Sequence, residues 1–417
     1  MTNETFANID SGRGDGARPR PLAETVLRLI WRESEISRAE IARSHGIARS
    51  TVSEIVGTLL PTGLVAEVGV GPSGGGRRPI VLQFQDHACV ILGVEIGATH
   101  LAVALTDLRG RVLAWEHRNH AVRSDPDGTR ALLVELCDAC LATRPHGAQP
   151  LIGIGVAFPS PVDPHHPDQV SDLVLPAWQG RTGLEILRQR YGAPLMLDND
   201  ANLGALAEGW WGAGRGVDDF AYVKVATGVG SGHVIGGKIY RGATGVAGEI
   251  GHLAIDPHGG PCVCGLRGCL ATLVGAPALV ARALALRSEY PQSVLARAEP
   301  SIESIEDAAL AGDALALQIA REAAENLGIA VAGMLNLMNP ALVILGGGLA
   351  RLGDVLLEPL RETVRRRTLV SSVAVSEIRT SELGPQSIAV GAATLILQAA
   401  LADSSLFHSA LSSVEAP

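Results

Sequence analysis

The stretch GEIGHLAIDPHGGPCVCGLRGCLA, Gly248–Ala271, decides how the rest of the chain is read. It places Cys262, Cys264 and Cys269 within eight residues and sets His252 ten residues ahead of the first of them. Clustered cysteines mean either disulfides or a metal, and the compartment decides between them. The N-terminal segment MTNETFANIDSGRGDGARPR has no apolar signal region, so the expectation is a cytoplasmic protein with a metal site rather than cystines. The other cysteines, Cys89, Cys137 and Cys140, stand among apolar residues and read as small core side chains.

At 417 residues the chain is long enough for two or three domains, and 47% hydrophobic residues supply a large core. Glycine, at 49 residues, is well above its usual share of roughly 7%. That excess suits an α/β fold with many tight turns and close backbone–ligand approaches. Aromatic residues are only 3%, which argues against base stacking as a main theme. No run reads as a membrane helix, and insertion into a membrane is not expected. The long uncharged run of residues 328–350 reads as a buried helix followed by a strand. The net charge of −9 is uneven: residues 1–85 carry ten Arg against nine Asp and Glu, leaving −10 on the remainder. An arginine-tipped head on an acidic body suggests two jobs.

Residues 1–20 read as a disordered polar tail. From Leu22 apolar residues recur at helical spacing, Ser37 and Glu40 form a capping box, and Gly46 ends the second helix. A third helix, starting near Arg49 after Ala48 and stopped by Pro61, follows. Two strand-like segments, GLVAEVGV and RPIVLQF, are joined by GPSGGGRR. Residues 21–86 therefore read as a winged helix-turn-helix that binds operator DNA. Arg49, Ser50, Thr51 and Ser53 suit phosphate and base-edge contacts, and Arg77 and Arg78 at the wing tip suit a minor groove. A helical protein-interaction module is the alternative.

From Cys89 the pattern turns to consecutive antiparallel strands. Three small-residue turns lie at strand ends: Gly97–Ala98–Thr99, Thr227–Gly228 with Gly230, and Gly346–Gly347–Gly348. Backbone N–H groups in such turns cradle phosphates, and three of them suggest a nucleotide held between two lobes. Between the first two turns a strand ends in Asp198-Asn199-Asp200, with a helix expected from Ala201. Asp200 is either a general base for phosphoryl transfer or a helix N-cap.

The motifs GVEIGATH, DNDAN, ATGVGSG, GEIGH and CVCGLRGC, in this order, resemble the ROK family of repressors and sugar kinases, and the leading winged helix resembles its regulator branch. The resemblance covers residues 22–402. It implies an α/β body with an actin-like (ribonuclease H-like) two-lobed ATPase fold and a sugar in the cleft. Lobe 1 would be residues 87–203, joined by a C-terminal helix at 386–402. Lobe 2 would be residues 204–385 and carry the metal site. It implies a structural Cys₃His zinc site at His252, Cys262, Cys264 and Cys269, and sugar contacts from Asn199, Asp200, Glu249 and His252.

Departures from the kinase pattern bear on function. Glu95 stands where the kinases carry Asp, Ala226 where the second loop starts with Gly, Ala271 where a sugar-binding Glu follows the third cysteine, and Ser160 where Gly is frequent. Removing a charged hydrogen bond costs about 1.5–3 kcal/mol. The expected function is thus a sugar- or sugar-phosphate-responsive regulator, a homodimer or homotetramer, with weak or no kinase activity. The alternative is an ATP- and Mg²⁺-dependent sugar kinase with an appended head.

Overall fold

The computed structural model describes residues 22–70, 79–144, 149–172, 174–369 and 376–412. The expected disordered tail at 1–20 and the wing tip with Arg77 and Arg78 lie outside them.

The head comprises α1 (Leu22–Arg32), β1 (Ile36–Ser37), α2 (Arg38–His45), α3 (Arg49–Leu59), β2 (Val65–Val70) and β3 (Ile80–Phe84). The Ser37–Glu40 capping box closes α2 at its start, and Gly46 ends it in the left-handed conformation at φ 63°. α3 begins after Ala48 with no side-chain cap. After Leu59 the chain tightens into a short 3₁₀ turn holding Pro61. β2 and β3 form the expected antiparallel hairpin. β1, two residues long and without a period to announce it, adds to the free edge of β3.

The body repeats one topology. The first sheet holds β4 (Val90–Ile96), β5 (His100–Thr106), β6 (Val112–Asn119), β7 (Leu151–Phe158) and β8 (Leu195–Asn199), with α4 (Pro126–Ala142) and α5 (Glu185–Tyr191) between strands. Its order is β6-β5-β4-β7-β8. α6 (Asp200–Trp211) leads to a second sheet of β9 (Phe220–Val225), β10 (Val229–Ile235), β11 (Lys238–Tyr240), β12 (Leu342–Gly346) and β13 (Glu377–Thr380), ordered β11-β10-β9-β12-β13. In each sheet three antiparallel strands are extended by two parallel ones. This duplication is the actin-like plan. β4 is buried along its whole length, as a strand covered on both faces must be. The second lobe packs α7 (Ala271–Val274), α8 (Ala276–Leu286), α9 (Ile302–Leu310), α10 (Ala314–Met338) and α11 (Asp354–Arg367) around its own apolar core.

α12 (Ser387–Ala402) and α13 (Ser405–Ser412) return to the first lobe. The segment Gly384–Ala402 is long and apolar enough to cross a membrane, yet 72% of it is buried inside the protein. It is a core helix. A methyl on Gly155 of β7 would overlap the Ala392 carbonyl, and one on Gly391 would overlap the Leu203 carbonyl of α6. Glycine here lets backbones touch.

The head shares this core. Val26, Leu27, Ile30 and Phe84 belong to one buried cluster with Ile91, Ile152, Ile396, Leu401 and Phe407. Arg28 Nε donates to the Leu401 carbonyl at 2.9 Å, and Trp31 Nε1 donates to the Leu108 carbonyl at 3.0 Å. α13, which completes this contact, carries no signal in the sequence that announces it. α6 runs unbroken across the expected lobe boundary at 203/204.

Candidate functional site

The Asp198-Asn199-Asp200 junction divides its work among three side chains. Asn199, not Asp200, caps the helix: its Oδ1 accepts from the N–H groups of Ala201 at 2.9 Å and Asn202 at 3.3 Å. α6 therefore starts at Asp200, one residue earlier than expected, and the N-cap reading of Asp200 is corrected. An N-cap residue must be extended, and Asn199, with ψ 144°, is the last residue of β8. Asn199 Nδ2 also donates to the Ser160 carbonyl at 3.2 Å. Asp198 holds Arg241, with Nε at 2.8 Å and Nη2 at 2.6 Å.

Asp200 is thereby left for a partner across the lobes. Lys224 Nζ lies 2.7 Å from its Oδ2 and 3.9 Å from Oε1 of Glu95. Burial disfavours the Lys224 ammonium, but Asp200 and Glu95 outweigh it and leave the pKa raised. Burial likewise opposes the Glu95 charge, and the His100 hydrogen bond and Lys224 overcome it, so that its pKa is lowered. Sequence reasoning gave neither Lys224 nor His100 a role. The available signal was one lysine inside the apolar strand FAYVKV.

The three glycine turns converge on these residues. Gly97 N donates to the His100 carbonyl at 2.9 Å, closing the first turn, and a methyl on Gly97 would overlap the His100 ring. Ala226 N donates to Gly228 O at 2.9 Å across the second. Gly346 pairs with Lys224 in the parallel β12–β9 ladder, and Gly347, at φ 83°, lies against the Val225 backbone. Gly230 approaches Ala201, next to Asp200. Ala98 and Thr99 complete the first turn and Thr227 the second, whereas Gly348 lies beside Glu306.

Glu249 and His252 follow β11, and the preceding Gly248 is tied to β10, whose Ser231 N–H donates to the Gly248 carbonyl at 2.8 Å. Burial, with Asp200 adding to it, pushes the Glu249 carboxyl up to about 7. His252 Nε2 faces Glu249 Oε2 at 3.7 Å, and its Nδ1 lies 3.5 Å from Cys262 Sγ. Cys264 Sγ and Cys269 Sγ are 3.7 Å apart, and the four donor atoms all lie within 4.8 Å of one another. Tetrahedral zinc, with Zn–S about 2.3 Å and Zn–N about 2.0–2.1 Å, sets S···S edges of about 3.8 Å and S···N edges of about 3.6 Å. The donor set fits that geometry. Cys89, Cys137 and Cys140 stand apart and buried, and burial pushes the Cys89 thiol up to about 12.

On the head, Arg49, Ser50 and Ser53 are exposed at the start of α3, and Thr51 is half-buried beside them. The C-terminal end of α6 reaches this domain: Trp210 and Trp211 have ring centroids 5.3 and 6.3 Å from Trp31 of α1.

A helix-turn-helix head sharing its core with a two-lobed actin-like body defines the class: a DNA-binding transcriptional regulator. The chain belongs to the ROK family, whose model matches residues 91–399. The xylose repressor of Caldicellulosiruptor bescii is 31% identical over 89% of this chain and 94% of its own length. A solved ROK family transcriptional regulator, a homologue of the Escherichia coli MLC protein, superposes with a TM-score of 0.78 at 27% identity, covering 94% of this chain and 98% of that one. A ROK glucokinase from Streptomyces griseus, solved with glucose and AMPPNP, has a TM-score of 0.63 at 30% identity and covers 74% of this chain and 99% of its own.

Proposed function

We propose that this protein is a sugar-responsive transcriptional repressor acting in the cytoplasm, as a homodimer or homotetramer, on operator DNA. The observation that carries the reading is α6, a single helix with Asp200 of the cleft at one end and the head's aromatic contact at the other. Twelve helical residues span about 18 Å, so a shift of the helix that accommodates a ligand also moves the surface on which Trp31 rests.

In this reading Asn199, Asp200, Glu249 and His252 contact sugar hydroxyls. His252, Cys262, Cys264 and Cys269 hold structural zinc. Such a closed site leaves no open position for water, and it fixes the loop that presents Glu249 and the Nε2 side of His252. Arg49, Ser50, Thr51 and Ser53 of α3 meet bases and phosphates, and Arg77 and Arg78 add phosphate contacts. The domains are the head at 21–86, lobe 1 at 87–203 with the helix at 386–402, and lobe 2 at 204–385. The ligand changes operator affinity only insofar as it prefers one lobe arrangement over the other.

The retained Asp200 and glycine turns favour the kinase alternative, and Glu95, Ala226 and Ala271 oppose it. A coupled ATP assay across pentoses, hexoses and amino sugars separates the two. The expected result is no turnover above background, together with operator binding that responds to a sugar. Turnover abolished by Asp200→Asn would establish the kinase instead.

A further inference from the structure

Four side chains from the two lobes, Lys224, Asp200, Glu95 and His100, meet in one cluster. Lys224, on β9, has a side chain only 12% exposed, and its ammonium lies between Asp200 and Glu95. The same Glu95 oxygen that faces Lys224 is 3.3 Å from His100 Nε2. The His100 ring, stacked on His117 at a centroid distance of 5.1 Å, occupies the space beside Gly97 in the first turn. The cluster's single lysine is thus committed to two carboxylates, and an imidazole covers the turn that would otherwise offer room to a phosphate.

We propose that this cluster makes the pocket selective for an uncharged, unphosphorylated sugar and turns away its phosphorylated form. The proposal rests on the sugar-effector reading above, in which Asp200 faces a sugar hydroxyl. A phosphoryl group on that hydroxyl enters the space bounded by Asp200, Glu95 and Lys224. It can draw Lys224 to itself only by stripping Asp200 and Glu95 of their counter-ion. Asp200 then faces a dianion without compensation, and Glu95 keeps only its contact with His100. A free hydroxyl instead donates to Asp200 without disturbing the pair. Like charges set side by side weaken binding by on the order of a hundredfold or more.

The test is isothermal titration calorimetry of the full chain with D-xylose, D-glucose, N-acetyl-D-glucosamine, glucose 6-phosphate and N-acetylglucosamine 6-phosphate. A free sugar should bind, with every phosphorylated sugar at least about a hundredfold weaker. Glu95→Gln, which removes one of the two carboxylates, should narrow that ratio about tenfold. A phosphorylated sugar that binds as tightly as the free sugars, or more tightly, overturns the selectivity while leaving the sugar-effector reading intact. Absence of binding by every member overturns both. An unchanged ratio in folded Glu95→Gln overturns the assignment to this cluster, and the comparison on the native chain stands whether or not the variant folds.

Discussion

Replacing Trp31 with alanine removes the aromatic contact between the head and the C-terminal end of α6. The indole meets Trp210 at 5.3 Å and Trp211 at 6.3 Å, lies 4.8 Å beneath the Arg109 guanidinium, and donates to the Leu108 carbonyl at 3.0 Å. Aromatic pairs contribute about 0.5–1.5 kcal/mol each. A partly exposed cation–π contact adds about 0.5–1 kcal/mol, and a hydrogen bond about 1 kcal/mol. Together these come to about 2.5–5 kcal/mol, enough to carry an allosteric coupling of the usual 1–3 kcal/mol. None of these partners belongs to α3, so Trp31→Ala should still bind promoter DNA, and its sugar site is left in place. What should fall is the coupling: the ratio of operator affinities without and with saturating sugar should shrink at least about fivefold. Fluorescence anisotropy with a labelled promoter fragment measures the ratio, and calorimetry measures sugar affinity separately. Trp31→Phe keeps a ring against Trp210 and should fall between. A native induction ratio in folded Trp31→Ala would refute the claim that α6 signals through this contact.

Cys264→Ser should lose bound zinc and the response to sugar together, and full metal content by elemental analysis would contradict the ligand set. Arg77→Ala with Arg78→Ala should weaken binding across DNA sequences and flatten the slope of log K against log salt by about 2 per head, at about 0.9 for each phosphate no longer neutralised; an unchanged slope would remove the wing from the backbone. Gly391→Ala forces a methyl onto the Leu203 carbonyl, and overpacking of this kind costs about 1–3 kcal/mol. Its melting temperature should therefore drop by several degrees, whereas an unaltered value would mean that α12 and α6 can separate freely.

Much of this molecule is legible in its sequence because local chemistry declares it. Ser37 and Glu40 announce a helix start, Gly46 a helix end, and the spacing of His252 with the three cysteines a donor set. What stayed hidden depends on partners far apart in the chain. Asp198, Asn199 and Asp200 are equivalent as a string of turn-formers, and only the path from β8 into α6 assigns the cap to Asn199 and releases Asp200. Lys224 reads as an oddity in an apolar strand until the parallel β12–β9 pairing and the inter-lobe approach place it beside Asp200 and Glu95. His100 looks like a strand-edge residue, and its ring over Gly97 is a consequence of the tight β4–β5 turn. Trp31, Trp210 and Trp211 carry no sequence signature of contact because they are about 180 residues apart along the chain. The head's merger with α12 and α13 was hidden for the same reason.

Coupling between sites is reciprocal, so a sugar that releases DNA must itself be released by DNA. The affinity of the full-length protein for the sugar that binds it best should be determined with and without a saturating promoter fragment. Bound DNA should weaken the sugar at least about fivefold, by the same factor with which the sugar weakens DNA. Equal sugar affinity in the two states, in a protein that binds both, would contradict it.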